Sequence, residues 1–205
     1  MKSHSGMTIF TSKRPLAWGQ LDVPMLGLQK DWYGTPLVPQ PAFSLVLDAQ
    51  HLWFIAHHRK AAIIHPKARP GIFQAELWKY DCAELFIADP VSGRYLEFNL
   101  APNSAWWSCE FTAPLVRDDE VDIPMPDVLS FSEIAADGAW LAAMTMPLDL
   151  LEARLNFGSQ SRINVSMILE YPHQRFISAT DLGGEKPHFH QPDRFSQVRF
   201  TELPK

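Results

Sequence analysis

Carboxylates and an amide set beside indole rings are the chemistry this chain offers most openly. Glu84, Asn99 and Trp106, with Glu97 and Glu110 close in the same strands, supply such a set. The apolar C–H face of a sugar ring stacks on an indole, and its hydroxyls bond Asp, Glu, Asn or Arg. Glu84 and Glu110 on one face would also resemble the paired carboxylates of glycosidases. No nucleophile motif accompanies them and no G-x-S-x-G occurs, so the expectation is binding without catalysis. His188 and His190 form an H-x-H pair, which on a strand would put both rings on one side, as metal ligands require. His57, His58, His65 and His173 supply no clear third ligand, so the pair is read as polar loop residues lining a pocket. Arg59, Lys60, Lys67 and Arg69 make the 57–80 segment basic, which would favour an anionic ligand if that loop borders the site. A solvated loop is the plainer reading.

The elements that must position these groups read as strands. Phe43–Asp48 and Leu52–Ala56 flank a polar tetrad, and Cys82–Ala88, Tyr95–Leu100 and Ala105–Phe111 follow as a meander. Val128–Ala135 and Trp140–Met146 flank Asp137-Gly138, a hairpin signal. Arg162–Leu169 alternates between polar and apolar residues, and Arg175–Thr180 and Phe195–Leu203 close the series. Pro147–Leu155 is the one helical stretch, with Pro at its start. Pairing Asp89 with Arg94 sets Glu84 opposite Asn99 and Phe86 opposite Glu97, leaving Ala83, Leu85 and Ile87 on the apolar face. Pairing Ala101 with Ser104 across Pro102-Asn103 then places Trp106, Ser108 and Glu110 on the Glu84 face, and Trp107, Cys109 and Phe111 on the apolar one. Cys82 and Cys109 fall on opposite faces in this register, which predicts free thiols.

Composition bounds the rest. At 205 residues, 46% hydrophobic and 20% charged, residues 1–205 are expected to form one folded β domain. Seventeen prolines against ten glycines favour short strands and loops over long helices. Seven tryptophans exceed what a core of this size needs and point to a binding surface. A net charge of −5 argues against nucleic acid. No window approaches the roughly 20 apolar residues of a membrane span, and 1–18 has no apolar signal region, so the expected location is cytoplasmic. Two cysteines without C-x-x-C exclude a disulfide scaffold and a structural zinc site.

Trp78-Lys-Tyr-Asp81-Cys-Ala-Glu84-Leu-Phe86 resembles the W-x-x-D-x-x-E-[LIV]-F signature of family 9 carbohydrate-binding modules and their DOMON-like relatives. In the same order along the chain, the Leu45–Ala56 hairpin, Tyr95-Leu-Glu-Phe-Asn99, Pro147-Leu-Asp-Leu-Leu151, Arg162-Ile-Asn164 and Phe189-His190-Gln-Pro192-Asp-Arg-Phe195 are similar to further segments of that family, over about residues 43 to 200. The resemblance implies an all-β fold, an antiparallel β-sandwich of Ig-like or jelly-roll-like form with one short helix and no catalytic machinery. It implies a sugar or sugar derivative clamped between Trp78 and Phe189, with Glu84 bonding hydroxyls. Asp81, Asn99, Trp106, Arg162, Asn164 and His190 complete the expected ligand-binding set. Asp81 could alternatively fix the loop at the strand start, and Arg162 could pair with Glu84. Phe189 stands where characterised sugar binders have Trp, Ser196 where the closing motif has Gly, and Glu97 where a sugar binder can carry Arg. Some DOMON relatives bind haem through Met and His, and Met167 with His190 is the candidate pair here, although Met167 alternates away from Asn164. Some family relatives carry a structural Ca²⁺. No cofactor is expected, and the partner is a small-molecule ligand, a carbohydrate first; a haem or metal protein and a protein-interaction module are the alternatives.

Overall fold

The structure, a computed structural model, describes residues 6–204; residues 1–5 and 205, at the ends of the expected domain, lie outside the described residues. Among the described residues the strands are β1 (Met7–Thr11), β2 (Leu26–Gly27), β3 (Ala42–Leu47), β4 (His51–His58), β5 (Cys82–Ala88), β6 (Tyr95–Leu100) and β7 (Trp106–Ala113). They continue as β8 (Val116–Arg117), β9 (Leu129–Ile134), β10 (Trp140–Pro147), β11 (Arg162–Leu169), β12 (Arg175–Ser178) and β13 (Ser196–Glu202), with one helix, α1 (Leu148–Leu155), between β10 and β11. No helix there is long and apolar enough to cross a membrane.

All the strands join one curled sheet, in the order β8-β7-β6-β5-β11-β13-β1-β3-β4-β10-β9, with β12 added beside β11 and β2 beside β3. The all-β class and the single short helix match expectation. The antiparallel arrangement does not hold throughout. β1 runs parallel to both β13 and β3, with Met7 opposite Val198 and Phe10 opposite Val46. No tight hairpin ties β1 to either neighbour, so no turn imposes antiparallel direction on it. This strand joins the two halves of the sheet, where the sequence pattern predicts no strand before residue 43.

The alternation seen in the sequence sorts side chains between two faces. Along β11, Ile163, Val165 and Met167 enter the main core with Leu85, Phe98, Leu45, Phe54 and Met144. Asn164, Ser166 and Ile168 point to the opposite face, where Ser166 lies across from Glu84. The helix starts at Pro147, ends on Asn156 in the left-handed region (φ 49°), and buries Leu151 and Leu155 in the main core.

The β5–β6 turn has the expected register. Asp89 N–H bonds the Arg94 carbonyl at 3.0 Å, Gly93 takes φ 74°, and Glu84 faces Asn99 while Phe86 faces Glu97. The β6–β7 turn does not. Ala101 pairs with Ala105 across a three-residue loop, Pro102–Ser104, in which Ser104 occupies the left-handed region at φ 63°. Asn103 Oδ1 holds that loop by accepting the Ala105 N–H at 3.2 Å. One extra loop residue moves every later side chain to the other face. Trp107, Cys109 and Phe111 therefore share a face with Glu84 and Glu97, and Trp106, Ser108 and Glu110 lie behind it. Cys82 and Cys109 are free thiols as expected, but for a different reason: they share a face. Four residues along the strand and two strands across separate them, about 16 Å.

Candidate functional site

The face of β5, β6, β7 and β11 turned away from the main core carries Glu84 and Phe86, Tyr95, Glu97 and Asn99, Trp107 and Phe111, and Ser166 and Ile168. Two loops cover part of it, the 59–81 segment and the segment ending in His188–His190. Between them lies a cavity of about 580 Å³, within the range of small-molecule sites. Its walls include Trp78, Trp107, Phe111, Phe176 and Phe189, and its floor holds Glu84 and Glu97.

Trp78 is presented by a short 3₁₀ turn, Leu77–Lys79. Glu76 enters it at φ 65°, and Leu77 is buried beneath it. The indole stays outside, 49% exposed, with Lys79 Nζ 5.5 Å from its ring centre. Phe189 lines the same cavity but is only 7% exposed. Its ring is packed against Trp32 (5.8 Å), Phe176 (6.4 Å) and Phe86 (6.5 Å), so it serves as wall more than as a free clamp.

The floor is electrostatically unusual. Glu84 is 3% exposed and accepts one hydrogen bond, from Ser166 Oγ at 2.8 Å. Burial pushes its carboxyl up to about 7, against the smaller opposing effect of that hydroxyl. Glu97 is pushed well above the carboxylate range, by burial first and by the charge of Glu84 second, although Asn99 Nδ2 donates to it at 3.0 Å. His190 sits above Glu97, its Nε2 3.7 Å from Glu97 Oε2. The Tyr95 hydroxyl accepts the Leu115 N–H at 3.1 Å and is 2.8 Å from His190 Nδ1. With the hydroxyl proton given to Nδ1, the neutral imidazole carries its own proton on Nε2, facing Glu97. Burial first, and His188 second, hold His190 down to about 4.

At the rim, Arg117 bonds Asp122 at 2.7 Å and lies 5.7 Å from the centre of the Trp107 ring, whose Nε1 also donates to Asp122 at 2.9 Å. Four acids (Glu76, Glu84, Glu97, Asp122) and one guanidinium (Arg117) line the cavity. Of the basic residues of the 57–80 loop, Lys60 pairs with Glu170, Arg69 bonds the Pro66 and Ala68 carbonyls, and Lys79, at the rim beside Trp78, pairs with Glu76. The cavity thus has no bias toward an anionic ligand.

Of the expected site residues, Trp78, Glu84, Phe189 and His190 line this cavity together. The others do not, each for a physical reason. Asp81 is buried and accepts the backbone N–H groups of Ile63 (3.2 Å) and Tyr171 (2.9 Å), fixing the covering loop as the alternative reading had it. Asn99 is on the correct face but fully buried behind Glu97. Asn164 is likewise on that face but is covered, its Oδ1 accepting from Ser178 Oγ (3.0 Å) and Thr180 N–H (3.2 Å). Trp106, 6% exposed, belongs to the main core and packs edge-on against Phe73 at 5.1 Å. Arg162 lies opposite Ala88, four residues from the position facing Glu84, and bonds the Asp193 carbonyl at 3.0 Å, so it does not pair with Glu84. Glu110 points away from Glu84 and is held by Arg94 and Arg154, which removes the glycosidase-like pair. Met167 is buried in the main core, on the face opposite the one carrying the cavity, so it offers no haem ligand to partner His190. Among the described residues no group of three or more His, Cys, Asp or Glu side chains could hold a metal ion.

Glu97, Trp107, Phe111, Phe176 and Arg117 are cavity residues absent from the expected set, while His188 lines the cavity with His190 as the H-x-H pair was read. Glu97 was already legible on the Glu84 face. Trp107 and Phe111 were recoverable from a three-residue reading of Pro102-Asn103-Ser104. Phe176 and Arg117 depend on how distant segments fold over the sheet, which no local pattern encodes.

No family model matches the chain, and no curated protein sequence matches it. Solved structures do. A candidate carbohydrate-binding protein from Bacteroides uniformis superposes with a TM-score of 0.68 at 14% identity, covering 95% of this chain and 98% of that one. A family 9 carbohydrate-binding module from Caldicellulosiruptor kristjanssonii, in complex with cellotriose, gives 0.60 at 10% identity, with 95% and 93% covered. The same organism's family 9 module in complex with glucose gives 0.61 at 10% identity, with 96% of each chain covered. With its curled mixed sheet, its single short helix and these neighbours, the chain has a fold like that of the family 9 carbohydrate-binding modules.

Proposed function

We propose that this protein binds a small carbohydrate without transforming it. The observation that carries the reading is the half-exposed indole of Trp78 standing over a cavity whose floor is two buried carboxyl groups. A sugar presents one apolar face and a ring of hydroxyls, and this cavity offers aromatic walls above and hydrogen-bonding groups below. Trp78 supplies the stacking face, with Trp107 and Phe189 closing the opposite walls, and Glu84, Glu97 and His190 meet hydroxyls at the floor. Neighbours of the same fold have been seen with glucose and with cellotriose, which supports the carbohydrate class.

Binding without catalysis is supported by the neighbours of the same fold, which are carbohydrate-binding modules, and by the lack of a nucleophile motif beside the two floor acids. Calorimetric titration with a panel of mono- and disaccharides tests the proposal. A member of the panel is expected to bind, and Trp78→Ala is expected to abolish its heat. A panel without binding, or a Trp78→Ala protein that binds as the parent does, overturns it.

A further inference from the structure

The floor carboxyls lack the partner that buried acids normally have. Taking a carboxylate out of water costs several kcal/mol unless a cation or several donors replace the lost hydration. Glu84 has Ser166 Oγ, Glu97 has Asn99 Nδ2, and among the described residues no Lys or Arg nitrogen comes within 4.0 Å of either. The cations that do reach the cavity or its edge are already matched: Arg117 by Asp122, and Lys79 by Glu76. The nearest imidazole, His190, is held neutral by its burial first and by His188 second. Aromatic side chains line the cavity around this pair, which feels only the charge of Arg117, itself bound to Asp122, and aromatic rings attract a cation by their own quadrupole.

We infer that the floor of the cavity is built to receive a positively charged nitrogen, so that the ligand is an amino sugar presenting a free ammonium group to Glu84 and Glu97. The sugar part of this statement rests on the function proposed above; the ammonium part rests on the two unmatched acids and the rings around them. An ammonium has three donors to share between two carboxylates and excludes a neutral hydroxyl by leaving its acids unpaired. The same reasoning separates a free amine from its N-acetylated form, which has no charge and one donor.

The pair must surrender a proton as the cation arrives, and this gives a signature that a neutral sugar lacks. The groups facing the pair are His188, His190, Tyr95, Arg117, Asp122 and Glu76, with the buried thiols of Cys82 and Cys109 on the same sheet face. With burial holding Glu84 near 7, affinity for an ammonium rises by up to about tenfold per pH unit between pH 5 and 7, with a proton released on binding.

The test is calorimetry of the full chain with glucosamine, glucose, N-acetylglucosamine and choline at pH 5.5, 6.5 and 7.5, repeated on Glu97→Gln and Glu84→Gln. The expected result is glucosamine at least tenfold tighter than glucose or N-acetylglucosamine, with the preference lost in both variants. Equal affinities for glucose and glucosamine, unchanged by the variants and flat with pH, overturn the ammonium inference and leave carbohydrate binding standing. Choline binding without any sugar, lost in Glu97→Gln, supports ammonium recognition and overturns the carbohydrate reading. No binding by any of the four overturns both. Each variant's thermal unfolding keeps a folding failure distinct from a binding loss.

Discussion

Replacing Glu84 by Gln should stabilise the unliganded protein at alkaline pH and leave it little changed near pH 4.5. The folded carboxyl is pushed up to about 7 by burial, against an ordinary value of 4.5. The folded state therefore binds a proton more tightly than the unfolded one, so this site's favourable contribution is complete below pH 4.5 and is lost as pH rises through 7. A difference of about 2.5 pH units corresponds to about 3 kcal/mol, or roughly 6–12 °C in Tm for a chain of this size. Wild-type stability alone does not display this slope. His190, held down to about 4 by burial, is charged in the unfolded state and neutral in the fold between pH 4 and 6.5, and so contributes stability that rises over that window. The two slopes oppose each other. His190 is common to both proteins, so the difference between Glu84→Gln and wild type reports Glu84 together with its charge coupling to Glu97. Urea unfolding at pH 4.5, 6 and 8 should show the variant gaining about 3 kcal/mol by pH 8, less a small cost because an amide hydrogen now faces Ser166. A variant that is equally or less stable than wild type at every pH would refute the claim that this acid is buried without a counter-ion.

Three further outcomes follow from placement. Trp106→Ala should lower stability by about 3–5 kcal/mol through the cavity left in the main core, while the folded fraction keeps its sugar affinity in titration. Asp81→Ala should cost about 1–2 kcal/mol in chemical denaturation, because the Ile63 and Tyr171 N–H groups lose the carboxylate that holds the covering loop. Tyr95→Phe should cost about 1 kcal/mol, and an NMR titration of His190 should show its ring tautomer shifting once the hydroxyl no longer donates to Nδ1.

Much of the scaffold was legible in the sequence, and the reason differs from element to element. β11 was read with its observed bounds because its alternation is strict and both faces are buried, which leaves no freedom of register. The β5–β6 hairpin was read correctly because Asp89 and Gly93 supply a turn with its own hydrogen bonds. The β6–β7 hairpin failed because Ser104 adopts a left-handed conformation that Ser seldom takes, and Pro-Asn alone suggested a shorter loop. That single residue exchanged Trp106 for Trp107 at the site. β1 escapes the sequence pattern because five residues with buried Met7, Ile9 and Phe10 carry no strict alternation, and most of its pairing is with β13 at the far end of the chain. The site itself was half legible. Trp78, Glu84, Phe189 and His190 came from the motif resemblance and meet around one cavity, whereas Asn164 and Arg162 matched the motif but sit where β12 or the 193–195 backbone engages them.

The central claim is that ligand enters between Trp78 and the buried acids, and a crystal structure of the protein soaked with whichever sugar binds most tightly tests it directly. The ring should lie against the indole of Trp78, with an electronegative substituent or an ammonium within hydrogen-bond distance of Glu84 or Glu97. Sugar density on any other surface, such as the Trp18–Phe131–Trp53 stack on the opposite half of the sheet, with this cavity still holding only water, would contradict the account.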